Sequence, residues 1–448
     1  MLQMTHKVKM GRWGATRVAT ACVALGLAAA MLSMANPVSA STNHPAGAST
    51  THAATSATVT LQFWSAYNET DTEASTIADV VIPRFEKLNP GIKVVSDVYP
   101  YGVLLQKFVA AAAAGRPPDV MRSDIAWVPE LSSDGLLQQL NTLPWYAATV
   151  KGALPGPMAT TEFRGSFYAL PLDTNTQALY WNKADFAAAG IKSPPTTMTQ
   201  MFADAQKLTN TSEGHFGLGV DGTDIWNVAP YIWSEGGAFT NANYTRATGY
   251  MDDAGTQAAV QKLVNLDKAG VIGSDLKGGA GAVSGEAGFP KDDYAMYIDG
   301  PWAVTTYNEL KPAFKDYGIS LFPSGPGGSA STVGGEDAII PADGHHLTDA
   351  AKFAEFLDSP FSQLAMAKTG QMSAFATDGA AEVKATPYYS IFAQQLQTAK
   401  VRAVSPFYSQ MDTIFSNELQ EILAGKVAVA KGLTSAAEAA NVALLSGL

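Results

Sequence analysis

Cysteine is nearly absent from this sequence: Cys22 is the one residue of its kind in 448. It falls inside an apolar run close to the start, so a chain trimmed beyond that run has no disulfide, no thiolate metal site and no cysteine nucleophile. Histidine is scarce as well, with six residues in all. His345-His346 sit beside Asp343-Gly344 in what reads as a turn, and no metal site is assigned. Basic charge falls short of acidic charge, 29 Lys+Arg against 40 Asp+Glu, for a formal net charge of -11. Such a surface repels phosphate backbones, which removes nucleic acid from the expected partners. The motifs of common hydrolases are missing too, with no G-x-S-x-G elbow and no H-E-x-x-H. "GLGVDG" (217–222) has dinucleotide-site spacing, yet no apolar strand feeds it and no helical pattern follows. The glycine-rich "KGGAGAVSGEAG" (277–288) lacks the Lys-Ser/Thr of a phosphate loop and reads as a mobile surface loop. No cofactor is expected.

Long apolar runs are also missing, save one. "VATACVALGLAAAMLSM" (18–34) follows the basic residues Lys7, Lys9, Arg12 and Arg17 and precedes Val38-Ser39-Ala40, the small-x-small pattern of a signal peptidase site. The expectation is an export signal over residues 1–40, cleaved after Ala40, and a small, polar, flexible leader over 41–57. Too few apolar residues precede Cys22 for it to accept a lipid. The body is then exported to the periplasm or the outer face of the cytoplasmic membrane.

What is present describes a packed α/β protein. Hydrophobic residues make up 47% of the chain, with 19 Phe, 16 Tyr and 8 Trp, and the length allows two or three domains. "VTLQFWSAY" (59–67) has the β-branched and aromatic content of a strand; Ile77, Val80, Val81, Phe85 and Leu88 then recur at helical spacing. "IKVVSDVY", "VLLQKFVAAAAAG", "PDVMRS" and "WVPELSSDGLLQQL" continue the alternation, a βαβαβα pattern of a parallel sheet with helices on its faces. Residues 191–291 read mainly as helix and loop. Strands return at "AMYIDGPWA" (295–303), "YGISLFP" and "STVGGEDAIIPADG", and helices at "LTDAAKFAEFLDSP" and "MDTIFSNELQEILAGKV". In "AMYIDGPWA" the Gly300-Pro301 pair must end the strand, which places Asp299 and Trp302 where the strand opens outward.

Several acids, Asp119, Asp124, Asp173, Asp299, Glu336 and Asp337, fall at or near strand ends. Two of them could serve a glycosidase as acid and base; capping and loop roles are the plainer alternative.

The order and spacing of "LQFWSAYNE", "FEKLNPGIKV", "GRPPDVMRSDIAWVPELSSDGLL", "YALPLDTNTQALYWNKADF", "WSEGGAF", "AMYIDGPWA" and "VGGEDAIIP" resemble the extracellular solute-binding proteins of family 1, the carbohydrate-capturing subunits of ABC importers, whose best-known relative is the maltose-binding protein. The resemblance covers the chain from about Thr58 onward. It implies a two-lobed α/β periplasmic-binding-protein fold with a ligand cleft between lobes and two or three hinge crossings. Lobe one would hold 58–173 plus 338–378, and lobe two 174–332 plus 381–448. It further implies a monomeric, non-catalytic receptor for a sugar or oligosaccharide that delivers its ligand to membrane permease subunits. By position the ligand-binding residues would be Trp64, Asn68 and Glu69 after the first strand, Tyr101, Asp124 and Trp127, then Asp173 and Asn175 at the crossover. Lobe two would add Trp226, Trp233, Asp299 and Trp302, with Gly334, Gly335 and Glu336 at the second crossing and Arg402 and Tyr408 near the C-terminus. Trp145 and Trp181 are expected in the core. Alternatives are the same fold with a polyamine, metal chelate or peptide as ligand, and a secreted carbohydrate-active enzyme.

Overall fold

The computed structural model describes residues 58–67, 72–279 and 282–445. The expected export signal and leader, together with Asn68 and Glu69, lie outside them.

In the first strand, Val59–Ser65, Leu61, Phe63 and Ser65 are buried while the residues between them are not, the period of two that commits one face to a core. It pairs in parallel with Ile92–Val98 on one side and Val120–Asp124 on the other. The sheet is then completed from far along the chain: Glu336–Ile339 lies antiparallel on Val120–Asp124, with Glu336 opposite Asp124, and Ala169–Pro171 lies antiparallel beside it. The sheet is therefore mixed where the βαβαβα pattern predicts parallel strands throughout. The cause is topological: the chain re-enters at the end where Val120–Asp124 finishes, so its strand must run backwards. The core beneath is aromatic, with Phe353 set edge-on between Phe63 (5.2 Å) and Phe85 (5.0 Å).

The second lobe is built on a three-stranded antiparallel sheet, Ala178–Asn182 between Tyr317–Ser320 and Met296–Asp299. Its helices bury one face each. Met198–Leu208 starts on a capping box of Thr197 and Gln200. Ala254–Lys268 buries Val260, Leu263, Val264 and Leu266, and Tyr408–Leu423 buries Phe415, Leu419 and Ile422. Trp145 and Trp181 pack against the cores of the first and second lobes.

Between the two sheets runs a ribbon of four short strands, in the order Met372–Ser373, Asp173–Thr176, Thr332–Gly334 and Lys400–Val401. Glycine is required here. A Cβ on Gly334 would strike Asn175, and one on Gly335 would strike the Asp173 carbonyl at a φ of 134°.

Two elements differ from the sequence reading. The helix expected over "WVPELSSDGLLQQL" ends at Ser133: Gly135 turns left-handed (φ 70°), and the Leu136 amide bonds back to the Leu131 carbonyl. The end of "KGGAGAVSGEAG" is not a surface loop. Gly285–Gly288 forms a helical turn whose glycines are buried against Tyr294 and Tyr297, and the Gly285 amide donates to Asp221. Among the described residues no helix is long and apolar enough to cross a membrane.

Candidate functional site

The ends of the first-lobe strands and of Met296–Asp299 open on a common cavity of about 560 Å³, lined from both lobes and from the crossing ribbon. Beyond the carboxyl ends of strands is where open α/β sheets hold ligands, and the volume suits a small organic molecule.

Two buried guanidinium groups organise its floor. Arg122, on Val120–Asp124, donates through Nη2 to Glu336 Oε2 (2.6 Å) and Gln371 Oε1 (3.3 Å), lies 3.4 Å from Asp173 Oδ2, and sits over the Tyr67 ring at 4.4 Å. Gln371 in turn donates to Glu73. Burial pushes the Glu336 carboxyl well above its ordinary range, and neighbouring Asp173 outweighs part of what Arg122 does to lower it. Arg402 reaches from the second lobe to the first. Its Nη2 donates to both oxygens of Asp124 (2.8 and 3.0 Å), and Asp124 also accepts from the Tyr101 hydroxyl at 2.6 Å. A second link between lobes runs from the Ser409 hydroxyl to Glu130 (2.6 Å).

The walls are aromatic. On the second lobe Trp226 and Trp302 lie with ring centroids 6.3 Å apart and planes 27° apart, and on the first Tyr101 rests against Trp127 at 5.0 Å. Arg402 bridges the second-lobe wall to Tyr408, 5.4 Å above Trp226 and 5.6 Å from Tyr408. Trp226 is positioned by the Ile225–Ser234 helix, whose first turn is held by Asp224 accepting from the Asn227 amide and by Asp412 accepting from the Ile225 amide at 2.6 Å. Burial and the facing Asp224 push Asp412 up to about 7. The cavity thus offers flat ring faces, carboxyls, an amide at Asn175 and backbone at Gly334 and Gly335.

The structure brings together Tyr101, Asp124, Trp127, Asn175, Trp226, Trp302, Gly334, Gly335, Glu336, Arg402 and Tyr408 on the cavity wall. Four expected residues stand elsewhere. Trp64 is absent from the cavity wall: it lies within its strand, edge-on to Tyr99 at 5.1 Å, and Ala66, two residues further on, takes the cavity position. Trp233 sits two helical turns beyond Trp226, about 10 Å deeper along the helix axis, and packs into the core against Phe239 at 5.8 Å. Asp173 is buried in the crossing beside Arg122, where it orders Glu336 by accepting its amide at 3.2 Å. Asp299 is buried behind Trp302 and turns back to accept the Gly300 amide at 2.7 Å.

Lining residues that the sequence did not signal are Glu73, Arg122, Asp224, Glu286, Gln371 and Asp412. Arg122 reads as an interior strand residue, and its partners lie 51, 214 and 249 positions away; Glu286 comes from the glycine-rich stretch.

The profile of the bacterial extracellular solute-binding proteins matches residues 68–364. A Brucella abortus (strain 2308) chain known only as a candidate binding protein is 28% identical over 370 residues, spanning 76% of this chain and 83% of that one. Among solved structures, an ABC transporter solute-binding protein from Thermotoga lettingae bound with alpha-D-tagatose superposes with a TM-score of 0.78 at 23% identity, covering 86% of this chain and 100% of the other. The GacH receptor of Streptomyces glaucescens, solved unliganded and with acarbose, gives 0.78 at 24% identity over 87% of this chain and 99% of its own.

Proposed function

The chain belongs to the bacterial extracellular solute-binding protein family, and from that premise we propose that it captures a sugar or oligosaccharide in the cavity between its lobes and delivers it to the permease of an ABC importer. The observation that carries the reading is that the Trp226–Trp302 wall, Asp124, Asn175 and Arg402 all line one cavity. A pyranose shows apolar C–H patches on its faces and hydroxyls around its rim, so flat rings and hydrogen-bonding groups together match it. One stacked face removes about 40–60 Å² of apolar surface from water, about 1–1.5 kcal/mol. Each hydrogen bond to a charged group adds roughly 1.5–3 kcal/mol. Two rings and several such bonds bring the affinity into the micromolar range, about -8 kcal/mol. The sugars bound by the tagatose and acarbose complexes support this ligand class.

The lobes, taken as 58–173 plus 338–378 and 174–332 plus 381–448, close about the crossing ribbon, and the Arg402–Asp124 and Ser409–Glu130 links hold the closed form. The closed surface is what the permease reads. The protein acts as a monomer outside the cytoplasmic membrane and releases its ligand unchanged.

A thermal-shift screen of saccharides, polyamines and peptides tests the reading, because stabilisation grows with ligand concentration over Kd. The expected result is a saccharide that raises Tm with concentration and is recovered intact. Stabilisation by polyamines or peptides alone, or cleavage of the saccharide, would overturn it.

A further inference from the structure

Away from the cavity, at the far end of the second-lobe sheet, three side chains from separate segments converge. Asp185 stands near the start of the Lys183–Ala188 helix, His215 closes a turn bridged to Asn210, and Asp292 follows Phe289–Lys291 with a left-handed backbone (φ 76°). One ligand atom from each lies within 4.8 Å of the other two. The cluster borders Ala295, whose carbonyl accepts the Asn182 amide. That is four residues from Asp299, about 13 Å along the strand from its cavity end.

Four details of the geometry set this cluster apart from an ordinary ion pair. First, His215 Nδ1 is 2.6 Å from the Asp292 carbonyl oxygen. A carbonyl can only accept, so Nδ1 carries a proton, and it is Nε2 that is turned toward the carboxylates, the orientation in which a histidine can offer its Nε2 to a metal. Second, Nε2 lies 3.6 Å from Asp185 Oδ2. That is too long for a charge-assisted hydrogen bond and close to the roughly 3.4 Å that separates two ligands of one tetrahedral ion with bonds of about 2.1 Å. Third, Asp185 Oδ2 is sealed from solvent and accepts no hydrogen bond. Fourth, Asn182 holds the frame: its Nδ2 donates to Asp292 Oδ1 at 2.8 Å, while its Oδ1 accepts the Ala184 amide and fixes the helix that carries Asp185.

We propose that Asp185, His215 and Asp292 form a structural binding site for one divalent transition-metal cation, with water completing the shell. One imidazole and two carboxylates suit zinc or manganese better than calcium, which takes six to eight oxygens. The ion would tie the helix, the turn and the loop before Met296–Asp299 to one another, without touching the sugar cavity.

The test uses the full chain purified without a histidine tag and stripped with chelator. Calorimetric titration with zinc chloride should give one site per chain, a raised Tm, and little response to calcium. His215→Gln and Asp185→Asn should each weaken zinc binding at least about tenfold, and Asn182→Ala by about tenfold as a positioning residue. His346→Gln should leave the affinity unchanged, since His346 is engaged with Asp119 at 2.8 Å. Circular dichroism checks that the variants fold. If His215→Gln is poorly folded, the visible absorption of cobalt(II) in the wild-type protein, tetrahedral in form and displaced by zinc, stands in for it. Absence of stoichiometric zinc binding, or binding that survives both His215→Gln and Asp185→Asn, or that is lost in His346→Gln, would overturn the proposal.

Discussion

At the scale of the residue, tryptophans of one chain divide between two roles. Trp226 is half-buried on the cavity wall, whereas Trp233 is in the core. Trp226→Ala and Trp302→Ala are each expected to weaken saccharide binding by about 1–3 kcal/mol through the lost ring face. Trp233→Ala is expected to cost about 3–5 kcal/mol of stability through the cavity it leaves, with affinity intact in the folded fraction. Calorimetry and denaturant unfolding on the same three proteins separate the two. A second expectation concerns charge. Burial with the facing Asp224 pushes Asp412 up to about 7, and burial with Asp221 pushes Asp275 up to about 8. Both carboxyls therefore hold protons in the folded chain that the unfolded chain releases near pH 4, so stability declines as pH rises from about 4 to 8. Urea midpoints should fall between pH 5 and pH 8, and fall less in Asp412→Asn; an equal fall in both would contradict the assignment. Residues at or just beyond a strand end, such as Asp124, which closes its strand, Glu336, which opens one, and Trp302, which follows the Gly300-Pro301 turn, were legible in the sequence because the turn signals beside them fix the strand limits. Arg122, Gln371 and Glu73 were not, since what makes them cavity residues is pairing across more than two hundred positions.

At the scale of the element, the crossing ribbon carries the most specific sequence. Gly335 combines a φ of 134° with a Cβ position blocked by the Asp173 carbonyl. Gly335→Ala should therefore destabilise the protein by more than the ~1 kcal/mol of an unstrained glycine exchange, read as a lower urea midpoint with an unchanged slope. The first three strands and the helices after the first two follow from hydrophobic period, which is local, while the helix after the third is cut short at Ser133 by the Gly135 turn. The reversed strand Glu336–Ile339 does not: its residues show that it is a strand, while its direction is decided by where the chain returns from the other lobe. The buried helical turn Gly285–Gly288 was hidden for a related reason, because glycine composition signals a loop unless the tyrosines that cover it are known.

At the scale of the molecule, two lobes, a ribbon between them and a cavity lined from all three are the frame on which the proposed closure about a ligand rests. Arg402 and Asp124 join parts of the chain 278 positions apart and are both buried. Arg402→Ala leaves the Asp124 carboxylate with its Tyr101 and Ala126 hydrogen bonds but without its cationic partner from the second lobe, and should favour the open form, so its ligand-free radius of gyration in solution scattering should exceed the wild type's. The central claim, that the paired tryptophans hold a saccharide face, is tested most directly by titrating the best saccharide from the thermal-shift screen into wild-type and Trp226→Ala protein by calorimetry. The account predicts one site per chain and an affinity reduced by about 5- to 150-fold, the equivalent of about 1–3 kcal/mol, with the fold unchanged. Equal affinity in the two proteins would contradict it.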